Sequence, residues 1–417
     1  MLNRAKHAAA IILVALAWTA LVRAAAPGPP AAQPQAEWPV KKVGGDFTVD
    51  TPHYLVKTDI SSDLAQKVAA QQEALFADLA WRLAGGRPGV INKATVVATL
   101  SRERYARESE DKDGITDGRY LPAERLLIAC DEKGRARRLL EILRHETSHQ
   151  FIGICVGPRT PIWLNEGMAE FYERGFFEAG KLQVGQVSLR RLADLRAVID
   201  EKRLEPVPLM LMMDNQTWSA KMKEATDAKP CGLYEQAWSM VHFLGYANDG
   251  KYRTAFLQYV QTVAARVPAL QAWDKVFGAD SNAFEARWRE YCADLVPTSG
   301  DCEWNLRKLG QLLWQWRADK AATADMQSFR RAVFDMKPDS DPNALTPLEI
   351  HQMCFRCPNE KNPGAKPSYE WVPGTDQSPP ILRCRHHKGV MLETAYQKDA
   401  KGQATVTVKS RPARSVK

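Results

Sequence analysis

Two histidines four residues apart enclose a glutamate in the run His145-Glu146-Thr147-Ser148-His149. On a helix, positions i and i+4 stack on one face, so both imidazoles can reach a single zinc ion. Glu146, beside the first histidine, is then placed to act on a metal-bound water. Such a site needs a third protein ligand and an open fourth position. Downstream, Pro161-Ile162-Trp163-Leu164-Asn165-Glu166-Gly167-Met168-Ala169-Glu170-Phe171 opens on a proline suited to a helix start and puts Glu166 in the second turn. Glu170, four residues on, shares that face, where a carboxylate can orient a ligand imidazole.

At these two motifs the sequence resembles the gluzincin peptidases, the thermolysin-like clan. The Trp-Leu-Asn-Glu-Gly-Met-Ala-Glu form is most similar to the peptidase-MA-like secreted bacterial proteins of unassigned substrate. The resemblance extends over about residues 45 to 295, with only the two motifs specific. It implies His145, His149 and Glu166 as zinc ligands, Glu146 as general base, and Glu170 as the acidic residue behind a ligand. It further implies a hydrogen-bond donor to the oxyanion. Tyr234 and His242, on a helix read over 233–244, are the two candidates; for His242 a plain core or surface histidine is the competing reading.

The elements that would hold these residues are legible from periodicity. Leu139, Leu140, Ile142 and Leu143 supply the buried face of the helix carrying the histidines. Before it, Phe47-Thr48-Val49 and Tyr54-Leu55-Val56 read as paired strands, and a long helix runs from Ser61 or Ser62 to Leu83. A strand over 94–100, a short helix over 101–108, a loop over 114–118 and an apolar strand over 125–130 follow. By analogy with the clan, the strand over 125–130 would edge the substrate cleft and accept an extended peptide. Leu189, Leu192, Leu195 and Ile199 mark a further helix, and Leu209-Met210-Leu211-Met212-Met213 reads either as core or as the lining of a specificity pocket. The fold class expected is α+β: a small mixed sheet lobe and a mostly helical lobe with the zinc cleft between them.

The ends of the chain carry other signals. Residues 1–24 read as a signal peptide, with Arg4 and Lys6 before an apolar run and Val22-Arg23-Ala24 at a cleavage site. An uncleaved anchor is the alternative. An Ala/Pro-rich linker is expected over 25–44, the catalytic domain over 45–296, a helical extension and linker over 297–345, and a Cys/His-containing module over 346–417. The net charge of +8 is concentrated at the two ends, since residues 381–417 hold nine Lys/Arg against two Asp/Glu. That tail suits contact with an anionic envelope surface, or simple solvation. Nothing in the sequence resembles a nucleic-acid-binding module.

Eight cysteines in an exported chain make disulfides possible. Cys292 and Cys302 are close enough for a local bridge. Cys354 and Cys357, with Cys384 and His386 or His387, resemble half of a zinc ribbon, and a disulfide is the alternative. The module is thus expected to be zinc-ribbon-like or disulfide-linked, giving one catalytic Zn2+ and a second structural one. The leading expectation is an exported zinc metallopeptidase acting on peptides or proteins. The alternatives are an inactive peptide- or envelope-binding module on the same fold, and a structural envelope protein carrying the motif by chance.

Overall fold

Side-chain alternation along two central strands organises the N-terminal lobe. In β4 (Ala94–Thr99) and β6 (Leu126–Cys130), Val96, Ala98, Leu127 and Ala129 enter the main core, while Val97, Ile128 and Cys130 pack with Tyr105 on the other face. Successive strand residues point to opposite faces, so a pair covered on both sides reads as a continuous apolar run. The computed structural model describes residues 38–84, 92–111, 116–178, 181–225, 231–296, 298–318, 370–374, 380–387, 390–398 and 404–412. The signal segment, most of the expected linker, and Cys354 and Cys357 lie outside the described residues. No helix of the described residues is long and apolar enough to cross a membrane.

The architecture is α+β. The first sheet has six strands in the order β1-β2-β3-β4-β6-β5, where β1 is Val40–Val43, β2 Asp46–Asp50, β3 Tyr54–Thr58 and β5 Gly118–Leu121. β3, β4 and β6 run parallel and the remaining pairs antiparallel. Helices α1 (Ser62–Ala84) and α3 (Ala136–Cys155) contribute Leu64, Val68, Leu139 and Leu143 to the core on one face. Helix α2 (Arg102–Ser109) sends Tyr105 to the other, after Ser101 Oγ accepts the Arg104 N–H at 3.0 Å and caps its start.

Three expectations are corrected here. The segment read as the end of a linker forms β1, whose hairpin turns on Gly44 and Gly45 at φ 58° and 96°. Two successive positive φ angles suit a two-residue hairpin turn, and glycine supplies them without strain. The loop expected over 114–118 ends in a strand, β5. Because β5 pairs outside β6, it is β5 and not the strand over 125–130 that forms this edge of the sheet.

The second lobe is helical. It comprises α4 (Ile162–Glu173), a short hairpin β7 (Phe176–Glu178) and β8 (Lys181–Gln183), then α5 (Leu189–Asp200), α6 (Val207–Met212) and α7 (Asn215–Glu224). Then come α8 (Leu233–Gly250, broken at Ala247–Asp249), α9 (Arg253–Ala264), α10 (Ala269–Phe277) and α11 (Ser281–Asp294). Trp163, Trp238, Trp273 and Trp288 are all fully buried and anchor this core. In the methionine-rich run, Met210, Leu211 and Met213 are core residues and α6 packs on α10 and α11. Leu209 and Met212 of the same run are exposed.

After Leu295, α12 (Ser299–Ala318) packs on a four-stranded antiparallel sheet in the order β12-β11-β10-β9. These strands are β9 (Glu370–Val372), β10 (Ile381–His387), β11 (Val390–Lys398) and β12 (Ala404–Pro412). The expected closing hairpin is β11 and β12, paired from Val390↔Pro412 to Lys398↔Ala404. Helix and sheet approach closely at Gly310, where a Cβ would lie 2.6 Å from Val406 Cγ1.

Candidate metal centre

Asp131 sets the start of the histidine helix. It follows β6 directly, and its carboxylate accepts the Arg135 backbone N–H at 2.5 Å and pairs with the Arg135 side chain at 2.7 Å. The apolar face of α3 then packs on the sheet, with Leu139 and Leu143 fully buried. Its polar face splits in two. Thr147 Oγ1 donates to Gln72 Oε1 at 2.6 Å toward α1, while His145 and His149 point toward α4. Helix α3 ends where Gly157 adopts φ 96° and its N–H reaches Ile152 O at 3.1 Å.

Arg144, the residue before the motif, joins the two helices. It is buried and donates to Glu173 O at 2.7 Å and Tyr172 O at 3.1 Å, the last carbonyls of α4. Tyr172 O also accepts the Gly175 N–H at 3.0 Å, and the guanidinium adds donors there and meets the negative end of the helix dipole. Its other arm reaches Gln71 Oε1 at 2.5 Å. On its far side α4 crosses α8 so closely that a Cβ on Gly167 would lie 2.5 Å from Ala237 O. The glycine after Glu166 is therefore a requirement of helix packing. Between these two contacts the position of Glu166 is fixed.

The three expected ligands converge. Glu166 Oε2 lies 3.6 Å from His145 Nε2 and 3.7 Å from His149 Nε2, and the two imidazoles meet edge to face at 4.7 Å. Ligand atoms of the three side chains lie within 4.8 Å of one another. These separations are too long for hydrogen bonds, and they suit three donors arranged about one small cation. Burial works to raise the Glu166 carboxyl, but His149 and His145 outweigh it and hold it below its ordinary range. Burial opposes a charge on His145, yet Glu166 and Glu173 outweigh it and push that imidazole well above its usual value. The carboxylates that favour a proton on His145 would also favour a metal cation in the proton's place.

Glu146 points out of α3 against the edge strand. A Cβ on Gly118 would lie 2.9 Å from Glu146 Oε1 and 2.1 Å from Ile142 Cγ2, so the carboxylate occupies space that only glycine leaves. Burial raises the Glu146 carboxyl, with His149 and His145 acting against that rise. A carboxyl shifted upward in this way is better matched to proton transfer near neutral pH.

Behind the ligands, the expectation for Glu170 is corrected. Its Oε1 lies 3.8 Å from His145 Nδ1, beyond hydrogen-bond range, and its other oxygen pairs with the buried Arg191 of α5. The residue that meets His145 is Glu173, whose Oε2 lies 3.0 Å from Nδ1. Burial works to raise the Glu173 carboxyl, but Arg174, His145 and Arg138 hold it well below the usual range. An acceptor on Nδ1 leaves Nε2, the nitrogen facing Glu166, free to ligate. Glu166, Glu170 and Glu173 stand at i, i+4 and i+7 on α4, so the signal was present in the sequence as an acidic stripe.

The two oxyanion candidates separate. His242 is committed elsewhere: Nε2 donates to Gly185 O at 3.0 Å, which leaves Nδ1 to accept from Tyr291 Oη at 2.7 Å. Burial pushes it down to about 4. Tyr234 lies edge-on to Trp218 at 5.4 Å, and its hydroxyl is raised first by burial and then by the nearby Glu166, with Glu170 and Glu146 adding to it. Of the C-terminal candidates, Cys384 is buried on β10, and His386 is on the same strand with its side chain outside the described residues. Cys302, expected near Cys292, instead places its Sγ 3.3 Å from that of Cys384.

Residues 140–270, which span α3 through α9, match a family described as "Protein of unknown function (DUF1570)". No curated protein matches the chain.

Proposed function

We propose that the chain is an exported zinc-dependent metallopeptidase. The observation that carries this reading is the convergence of His145, His149 and Glu166, with Glu146 held beside them against Gly118 of the edge strand. Two imidazoles and one carboxylate are a donor set suited to catalytic zinc, which when bound supplies an acidified water and polarises the scissile carbonyl.

The protein's own groups supply the rest. Glu146 accepts the proton of the attacking water and passes it to the leaving amine. Tyr234 offers a hydroxyl donor toward the developing oxyanion from the α8 side. β5 is the outer strand of the sheet next to Glu146, and its backbone edge can take an extended peptide as an added strand. Glu173 and Arg144 keep the ligand helices in register, as their bonds to His145 and to the end of α4 indicate.

Cleavage of a peptide library by zinc-loaded protein tests the reading. Glu146→Gln is expected to retain zinc and lose hydrolysis, because only the base is removed. Zinc retained with full hydrolysis in that variant would refute the mechanism. A wild-type protein that binds zinc and peptides without turnover would place it among inactive binding modules.

A further inference from the structure

Arg191, on α5, is 4 % exposed and is neither a ligand, nor the base, nor an oxyanion donor. Its backbone N–H donates to Ser188 Oγ at 3.1 Å, the cap that starts its helix. Its guanidinium reaches α4 and α8. Nη2 donates to Glu170 Oε2 on α4, and Nη1 lies 3.8 Å from Glu235 Oε1 on α8. The guanidinium carbon also stands 5.4 Å from the centre of the Trp238 ring, again on α8. Each carboxylate adjoins a residue of the candidate site: Glu170 is one helical turn after Glu166, and Glu235 directly follows Tyr234.

We propose that Arg191 is a positioning residue that sets where Tyr234 stands relative to Glu166. Helices α4 and α8 meet closely at Gly167 and Ala237. One close contact fixes their separation and leaves them free to rotate about it. Arg191 supplies a second, at Glu170 beyond Gly167 and at Glu235 ahead of Ala237, and so holds the crossing angle. The kinetic consequence of this role rests on the peptidase reading; the clamp itself does not.

The chemistry of the clamp singles out arginine. A buried ion pair is costly to desolvate, and an apolar side chain of similar volume often gives equal stability. What the pair adds is direction, since each carboxylate draws its own helix toward one fixed cation. Burial raises the Glu235 carboxyl, and Arg191 acts against that rise. A guanidinium is planar and presents a fork of donors, so it serves two carboxylates at once, whereas an ammonium is a single point charge.

Full-length protein is produced with 3-fluorotyrosine, and the fluorine resonance of Tyr234 is identified by its loss in Tyr234→Phe. Arg191→Lys keeps the charge beside Glu170 and gives up the fork, while Glu235→Gln keeps the shape and gives up the charge. In both variants the Tyr234 resonance is expected to shift or broaden, with those of Tyr54 and Tyr105 in the sheet lobe unmoved. Against a peptide that the wild type cleaves, both variants should bind zinc as it does, keep its KM and lose kcat roughly ten- to a hundredfold. In a Tyr234→Phe background neither change should lower kcat further, because the group being placed is gone. An unmoved Tyr234 resonance in both variants, or an equal further loss of kcat without the Tyr234 hydroxyl, would overturn the proposal. Absence of turnover in the wild type would instead refute the peptidase reading, and the fluorine measurement then decides the clamp alone.

Discussion

Replacing Glu173 by Gln removes one charge and keeps the shape of the side chain. In the folded protein that carboxylate accepts from His145 Nδ1 at 3.0 Å and from Arg138 Nη1 at 2.8 Å. A glutamine oxygen can still accept from Nδ1, so the change isolates the charge-assisted part of the bond. Carboxylates behind ligand imidazoles contribute roughly ten- to a hundredfold to metal affinity. That range corresponds to about 1.4–2.7 kcal/mol. Glu170→Gln is the control, because Glu170 lies 3.8 Å from the same nitrogen and pairs with Arg191. It should change zinc affinity less than about threefold, since no imidazole bond is lost. The assay is competition with a chromophoric chelator at fixed pH, with circular dichroism confirming that each variant is folded. Wild-type affinity in Glu173→Gln together with a tenfold loss in Glu170→Gln would reverse the assignment.

Three further outcomes are expected. Gly118→Ala forces a methyl group against Ile142 and Glu146. It should cost about 1–3 kcal/mol of stability by overpacking and, on the proposed peptidase reading, lower kcat roughly a hundredfold by displacing the proposed base Glu146; unchanged turnover in a folded variant would detach Gly118 from the site. Tyr234→Phe should lower kcat on the order of 10²–10³-fold with zinc affinity intact, and a change confined to KM would remove Tyr234 from the oxyanion role. The pH dependence of stability should carry a His242 component. Its folded value, about 4, is depressed below 6.5, so the neutral form is favoured by folding. This stability is present above pH about 6.5 and is lost as pH falls toward 4, to a limit of about 3 kcal/mol. Urea denaturation of wild type and His242→Gln across that window checks it, since the variant should lack the component.

The histidine pair and its helix were legible because side-chain types at a period of 3.6 mark one helix face. The central strands were legible as apolar runs. Which acid on α4 would meet His145 was not. Glu166, Glu170 and Glu173 share a face, and the choice depends on where α4 crosses α3, which Arg144 and Gly167 set through contacts distant in sequence. β5 escaped because it begins at a glycine and has no fully buried residue. Its glycine, read as a loop signal, is there to admit Glu146. β1 escaped because three of its four residues are exposed, so it shows no buried alternation. The partner of Cys384 was hidden because Cys302 lies 82 positions away, and only the docking of helix on sheet brings them together.

All the proposed metal donors, and the carboxylate behind them, sit on two consecutive helices joined by the short stretch 156–161. Contacts near in sequence close small loops and form early in folding. Gly118 and its strand arrive from upstream, and Tyr234 comes from far downstream. On the proposed reading, the two helices that carry the metal donors can pair before the strand and the downstream helix that would complete a cleft.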